Sequence, residues 1–171
     1  GADMVNDVAA LTHDPVLASV VASADAPLCL MHAQGTPATM QVDPHYDDVL
    51  MDVYDFLAAR IAVAEAAGIS RDRLIVDPGI GFGKNQDHNL ALIRGLSLFH
   101  GLGCAVLLGA SRKRFIGTIG HEPQAERRGP GTIAVTLAGL AQGVQIHRVH
   151  DTQSTRQAMR LWQAMSKGQT S

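Results

Sequence analysis

Five short apolar runs of this sequence end in side chains that bind ligands or carry charge. Their ends read Asn6–Asp7, Met31–His32, Asp77–Pro78–Gly79, Gly109 through Lys113, and Arg148–Val149–His150–Asp151. Asp77 closes the run Leu74–Asp77, and a carboxylate in such a place must find a partner. It also opens Asp77–Pro78–Gly79–Ile80–Gly81–Phe82–Gly83–Lys84, whose alternating glycines let a backbone approach a ligand closely. The same glycines suit a left-handed turn ahead of a helix. A phosphate-binding P-loop is excluded, because its pattern needs glycine in place of Pro78 and a hydroxyl in place of Asn85. The dinucleotide fingerprint fails as well, since Lys84 occupies its final glycine.

The run Gly109–Ala110–Ser111–Arg112–Lys113–Arg114 sets three cations behind a glycine and a serine. A solvated face is the ordinary reading of such a run. Yet the chain has only three lysines, and two of them, Lys84 and Lys113, fall in these loops. Further on, a period of two puts Ile146, Arg148 and His150 on one strand face and His147 and Val149 on the other. Arg148 and His150 then converge as a clamp for phosphate or pyrophosphate. His147 and His150 face opposite ways, which disfavours a zinc site, and no metal ligands are assigned. Asp151 either orients His150 or caps the next helix.

Asn6 shares a face with Met4 and Val8, and its amide both donates and accepts. Beside Asp77 it would read the edge of a nitrogen-rich ring; otherwise it is a buried amide satisfied by backbone. His13, His45, His88, His100 and His121 lack ligand-like spacing and are read as surface or satisfied residues.

Something must hold these five ends together. Strands are expected at Met4–Val8, Pro27–His32, Leu74–Asp77, Ala105–Ala110 and Val144–Val149. Helices are expected at 14–24, 45–67, 86–100, 131–142 and 152–166, the second carrying Val49, Val53, Phe56, Leu57, Arg60, Ile61 and Ala64 at helical spacing before Gly68. Thr152 is the expected cap of the last, with Ala158, Met159 and Trp162 along one face. Apolar strands alternating with helices imply parallel strands covered on both faces, in one α/β domain over 1–171. Ligands bind beyond the carboxyl ends of such strands, which is where the polar groups fall. Five units in 171 residues average about 34 residues each, against about 31 in an eight-unit barrel. Either a five-stranded doubly wound sheet or five-eighths of a barrel fits.

Composition narrows the classes further. With 46% apolar and 18% charged residues the chain is globular, and its apolar runs fall short of the roughly 20 residues of a membrane helix. A net charge of −2 and 4% aromatic residues argue against a nucleic-acid face. No basic-then-apolar leader stands at the start, and Cys29 and Cys104 lie in apolar runs, so a cytoplasmic protein with reduced thiols is expected.

Four segments together resemble the dihydropteroate synthase family. They are Met4–Val8, then Leu30–Met31–His32–Ala33–Gln34–Gly35–Thr36–Pro37–Ala38–Thr39–Met40–Gln41, then Asp77 to Lys84, and Ser111–Arg112–Lys113 with Arg148–Val149–His150–Asp151. The resemblance implies a TIM (β/α)8 barrel, this chain covering about five βα units, strands 4 to 8. It implies a transferase joining 6-hydroxymethyl-7,8-dihydropterin pyrophosphate to p-aminobenzoate, with release of pyrophosphate and formation of 7,8-dihydropteroate. It assigns Asn6, Met31, Asp77, Phe82, Gly109 and Lys113 to the pterin, and Arg148 and His150 to pyrophosphate. Ser111 and Arg112 fall on the p-aminobenzoate side, where sulfonamides also approach. Lys113, Arg148 and His150 are the groups set against the reacting centre.

The family also implies magnesium, a homodimer and small-molecule partners only. The first three βα units of the family are absent here, and with them the parts that complete the p-aminobenzoate site and support the magnesium. Five strands cannot close a barrel of eight, so the chain alone is expected to be inactive until the remainder is supplied. A non-catalytic pterin- or phosphate-binding module and a pterin-dependent methyltransferase are the rival readings. Methyl transfer has no pyrophosphate for Arg148 and His150 to clamp.

Overall fold

The alternation of apolar runs and helical segments becomes a single parallel sheet with helices against it. A computed structural model describes residues 1–36, 40 and 42–166. Its strands are β1 (Val5–Asp7), β2 (Leu28–Met31), β3 (Leu74–Asp77), β4 (Ala105–Leu108) and β5 (Ile146–His147). The helices are α1 (Leu17–Ala24), α2 (Val49–Ala66), α3 (Gln86–Arg94), α4 (Arg114–Ile119), α5 (Gly129–Ala141) and α6 (Thr152–Ser166). The strands lie in the order β1-β2-β3-β4-β5, every neighbouring pair parallel. A doubly wound sheet reverses its order part-way, and this one does not. Of the two architectures compatible with the sequence, sequential order selects the arc of a barrel.

The two sheet faces differ accordingly. Leu28, Leu30, Leu74, Val76, Val106 and Leu108 join the main core, with Val53, Leu57, Ile61 and Ala64 of α2. Cys29, Ile75 and Leu107 form a smaller cluster with Ala105 and Ile146 on the other face, the inside of the arc. Cys29 and Cys104 are both buried free thiols, and burial pushes Cys29 up to about 12, with Asp77 adding to it. Among the described residues no helix is long and apolar enough to cross a membrane.

Caps decide where the helices begin. The Asp48 carboxylate accepts from the amides of Leu50 and Met51, at 2.9 and 3.2 Å, so α2 starts at Val49, where its apolar pattern begins, rather than at residue 45. Asp151, rather than Thr152, caps α6: its carboxylate accepts from the Ser154 amide at 3.0 Å. The single helix expected over 86–100 divides at Gly95, where a Cβ would sit 2.5 Å from Leu50 Cδ2, and continues as a 3₁₀ turn over Leu96–Leu102. Helix α4 was not anticipated at all. Its Phe115 and Ile116 are buried, directly behind the run of cations.

His147 points away from the inner face, as period two requires, into the packing of β5 against α5. Gly139 makes the room, since a Cβ there would lie 3.2 Å from the His147 ring and 2.7 Å from Leu108. Neither ring nitrogen makes a hydrogen bond. Burial lowers the His147 pKa, offset in part by the nearby Val144 carbonyl. The ring is therefore neutral in the fold above the unfolded value near 6.5, and the fold loses stability as pH falls below that value, where the unfolded chain takes up a proton more readily. Replacing it by an apolar side chain, His147→Leu, is expected to raise stability by about 1–2 kcal/mol, with the gain growing below about pH 6. Urea unfolding from pH 8 to 5 checks this; a less stable variant, or a gain that shrinks with acid, would contradict it.

Candidate functional site

The glycine turn after β3 is shaped by contact with the chain itself. Gly79, Gly81 and Gly83 all have positive φ, at 70°, 79° and 65°. A Cβ at Gly79 would fall 1.8 Å from the His32 carbonyl oxygen, and one at Gly83 would fall 2.4 Å from that of Gln34. Two of the three glycines thus permit close approach to the β2–α2 connection rather than to a ligand. Gly81 faces Lys113 instead, whose Cδ a Cβ would meet at 3.0 Å. The turn is closed by Asp77, whose carboxylate accepts from the Gly79 amide at 2.8 Å, and by Asn89, which accepts from the Gly81 amide at 2.6 Å.

Lys84 is not a free cation of this loop. It is 2% exposed, and its Nζ donates to His32 Nδ1 at 2.8 Å and to the Phe82 carbonyl at 3.0 Å. Burial first, and Lys84 second, lowers the His32 pKa to about 3, so the ring is neutral and carries its proton on Nε2. Burial also lowers Lys84 to about 7, against the opposing pull of Asp77. Asp77 itself is raised to about 6 by burial, held back by the Gly79 amide and by Lys84, Lys113 and Arg148. Above about pH 6 it is a buried carboxylate, an acceptor for paired donors.

At the carboxyl ends of the strands lies a cavity of about 590 Å³, with Asp77 in its wall. Phe82, Gly109, Ser111, Arg112 and Lys113 line it from the ends of β3 and β4. Arg148, Val149 and His150 line it from the end of β5. The Lys113 ammonium lies 3.9 Å from the centre of the Phe82 ring, so aromatic face and cation share one wall. Gly109 keeps the Asp77 carboxylate open, since a Cβ there would lie 3.5 Å from Oδ2. Arg148 extends the β4–β5 ladder, its amide donating to the Leu108 carbonyl at 3.0 Å, which aims its side chain to the inner face. Ser111 Oγ stands 2.8 Å from His150 Nδ1 and accepts from the His150 amide at 3.2 Å. With Ser111 donating to Nδ1, the neutral ring presents Nε2–H as a donor.

Two residues assigned to the pterin sit elsewhere. Asn6 lies on the edge strand, exposed, and pairs in register with Cys29; Met31 pairs with Asp77 two residues further along β2. Neither lines the cavity. Met31 is 2% exposed and packs under the glycine turn, 3.4 Å from the place of a Gly79 Cβ. Conversely Ala125 and Glu126, on the 3₁₀ turn Ala125–Arg127, line the cavity without having been singled out. The only signal for them was the apolar pair Phe115–Ile116, which marks α4 and hence the turn back towards the site. Pro37, Ala38, Thr39 and Gln41 of the second motif lie outside the described residues. No cluster of three or more His, Cys, Asp or Glu suited to a metal occurs among the described residues. Asp77, committed to the Gly79 amide, and Glu126 do not make a magnesium cage.

The sequence matches the family described as pterin binding enzyme over residues 1–150. It is 45% identical over 168 residues to the dihydropteroate synthase of Neisseria meningitidis serogroup B, covering 96% of this chain and 59% of that protein. Among solved structures, the Yersinia pestis dihydropteroate synthase in a sulfonamide drug complex superposes with a TM-score of 0.92 at 38% identity, over 97% of this chain and 60% of that one. The Xanthomonas albilineans dihydropteroate synthase in complex with 7,8-dihydropteroate gives 0.90 at 42%, over 98% and 61%. This chain therefore spans about three-fifths of the length of these relatives, its five strands form an arc of the same TIM barrel, and it belongs to the family of pterin binding enzymes.

Proposed function

We propose that this chain carries the pterin- and pyrophosphate-binding part of a dihydropteroate synthase, a transferase of folate synthesis. One observation carries the reading: a single cavity gathers a buried carboxylate, an aromatic wall and the cations Lys113 and Arg148 with the donor of His150. A nitrogen-rich ring bearing a pyrophosphate matches that set of groups. Asp77, ionised above about pH 6, accepts from ring N–H donors, while Lys113 spans from the Phe82 face towards the ring carbonyl. Arg148 offers a planar fork to the pyrophosphate oxygens, and His150 adds its Nε2–H.

In the proposed reaction the C–O bond to pyrophosphate breaks and leaves a delocalised pterin cation. The p-aminobenzoate nitrogen then forms the new C–N bond and releases a proton to solvent. The chain's part is to hold the ring and to stabilise charge on the departing anion in a site already formed. Ser111 and Arg112 stand on the side from which the arylamine would arrive. We further propose a cytoplasmic homodimer with small-molecule partners only. Because the chain spans three-fifths of its relatives, turnover is expected only when the remaining βα units are supplied.

Pyrophosphate release that depends on p-aminobenzoate separates this reading from a non-catalytic binding module. It should appear when chain 1–171 is combined with N-terminal units of a relative, and its absence there would favour the module. Arg148→Ala should weaken pyrophosphate binding by about 2 kcal/mol in calorimetry, since a charge-assisted fork is lost; native affinity would remove the clamp. Asp77→Ala should cost about 2–3 kcal/mol of pterin affinity. In the native chain that affinity should fall as pH drops below about 6, where Asp77 takes up a proton. A pterin affinity unchanged between pH 7.5 and 5 would rule out an ionised Asp77 as the acceptor.

A further inference from the structure

Two walls of the cavity are built from turns rather than strands: residues 111–113 after β4, and the turn Ala125–Arg127 after α4. Arg112 has a φ of +59°, the left-handed region that a non-glycine residue enters only at an energetic cost. Both of its backbone polar groups are taken by residues at the start of α5. Its amide donates to Thr132 Oγ1 at 3.0 Å, and its carbonyl accepts from Arg128 Nη1 at 3.1 Å. Thr132 is buried, and its hydroxyl donates back to the Arg128 carbonyl at 2.9 Å.

Arg128 does more than hold Arg112. Its Nε donates to the Glu122 carbonyl at 3.0 Å and its Nη2 to the Pro123 carbonyl at 2.7 Å. One rigid fork thus grips the backbone on both sides, the 111–113 wall and the strand of chain that leads into Ala125 and Glu126. Gly117 makes the space, since a Cβ there would lie 2.4 Å from Arg128 Nε. A lysine could satisfy one of these carbonyls but has no fixed geometry to satisfy three. Arg128 does not line the cavity.

We infer that Arg128 is a positioning residue that sets the shape of the anion-binding wall, holding Arg112 in its strained backbone so that Ser111 and Lys113 face Arg148 and His150. The inference rests on the reading of that wall as a pyrophosphate site. Sub-ångström placement of donors decides how well a site of this kind holds its anion, so an arginine that never touches the ligand still governs affinity.

The test uses chain 1–171 with inorganic pyrophosphate as probe, at a temperature where circular dichroism shows every variant folded. Arg128→Ala should raise the pyrophosphate Kd at least tenfold. Methylguanidinium should restore most of the affinity, whereas methylammonium of equal charge should not. Thr132→Val, which removes the acceptor for the Arg112 amide together with the donor to the Arg128 carbonyl, should raise Kd about threefold and serves if Arg128→Ala does not fold. Hydrogen exchange without ligand should show protection lost at residues 111–113 and 125–127, with β3 and β4 unchanged. Native affinity in both variants, or unchanged exchange at those segments, would overturn the inference. If the native chain itself does not bind pyrophosphate, the proposed function fails. The exchange pattern then decides the positioning role by itself: local loss of protection keeps it and unchanged protection ends it.

Discussion

Everything at this site depends on a lysine taken out of water. Lys84 is 2% exposed, and moving an ammonium so deep costs several kcal/mol unless its donors are used and a counter-charge is close. Both conditions are met by the same few residues. The His32 ring and the Phe82 carbonyl take its hydrogen bonds, and Asp77 supplies the opposing charge. His32 belongs to the end of β2 and Phe82 to the turn after β3. The lysine therefore ties two strand ends to each other, and the glycine turn cannot move without stranding it. That rigidity is inherited by Phe82, which forms the aromatic wall, and by Lys113, which lies across its face.

The electrostatics follow the same geometry. Burial raises the Asp77 pKa, and the Gly79 amide together with Lys84, Lys113 and Arg148 pulls it back, so that the carboxylate is ionised above about pH 6. One of those cations is internal and two border the cavity, so the carboxylate is kept charged partly by groups that also face the ligand. An incoming anion on Arg148 would weaken that support, while ring donors on Asp77 would strengthen it. The carboxylate and the clamp are thereby coupled through shared charges.

Much of this was legible in the residues because strands expose their period plainly. Asp77, Arg148 and His150 announce themselves as polar groups at the ends of apolar runs, and the strand order needed only the structure to choose between sheet types. The glycines misled in a specific way. Three alternating glycines signal close approach, yet nothing local distinguishes approach to a ligand from approach to the carbonyls of His32 and Gln34, which are some 50 residues distant in sequence. Lys84 misled for the same reason, since a lysine in a polar loop carries no mark of the partners that bury it. Helix α4 is hidden because the cation run leads straight into it, with Lys113 at its cap and Arg114 as its first residue. The charges at 112–114 read as loop, although Phe115 and Ile116 bury the helix from behind. Arg128 is legible only in three dimensions, because its partners are backbone carbonyls and leave no trace in side-chain spacing.

The site is also graded in how firmly it is held. The wall formed by β3, β4 and β5 has hydrogen-bonded strands on either side of β4, a buried lysine beneath it and the Arg128 fork behind. Asn6 stands on β1, a three-residue strand paired on one side only, between Met4 and Val8 that are 40% and 48% exposed. Edge strands of this length open at little cost. Its support comes from the turn behind it, where the Asp7 carboxylate accepts from the amides of Ala9 and Leu11 and Arg60 donates to the carbonyls of Ala10 and Leu11. Those contacts hold Ala10 and Leu11 in left-handed backbone, at φ of 48° and 61°, so the turn stores strain that α2 must keep in check. The anion half of the site is thus formed in advance by packing internal to β3 through β5. The place of Asn6 depends on β2, on α2 through Arg60, and on whatever pairs with the open edge of β1.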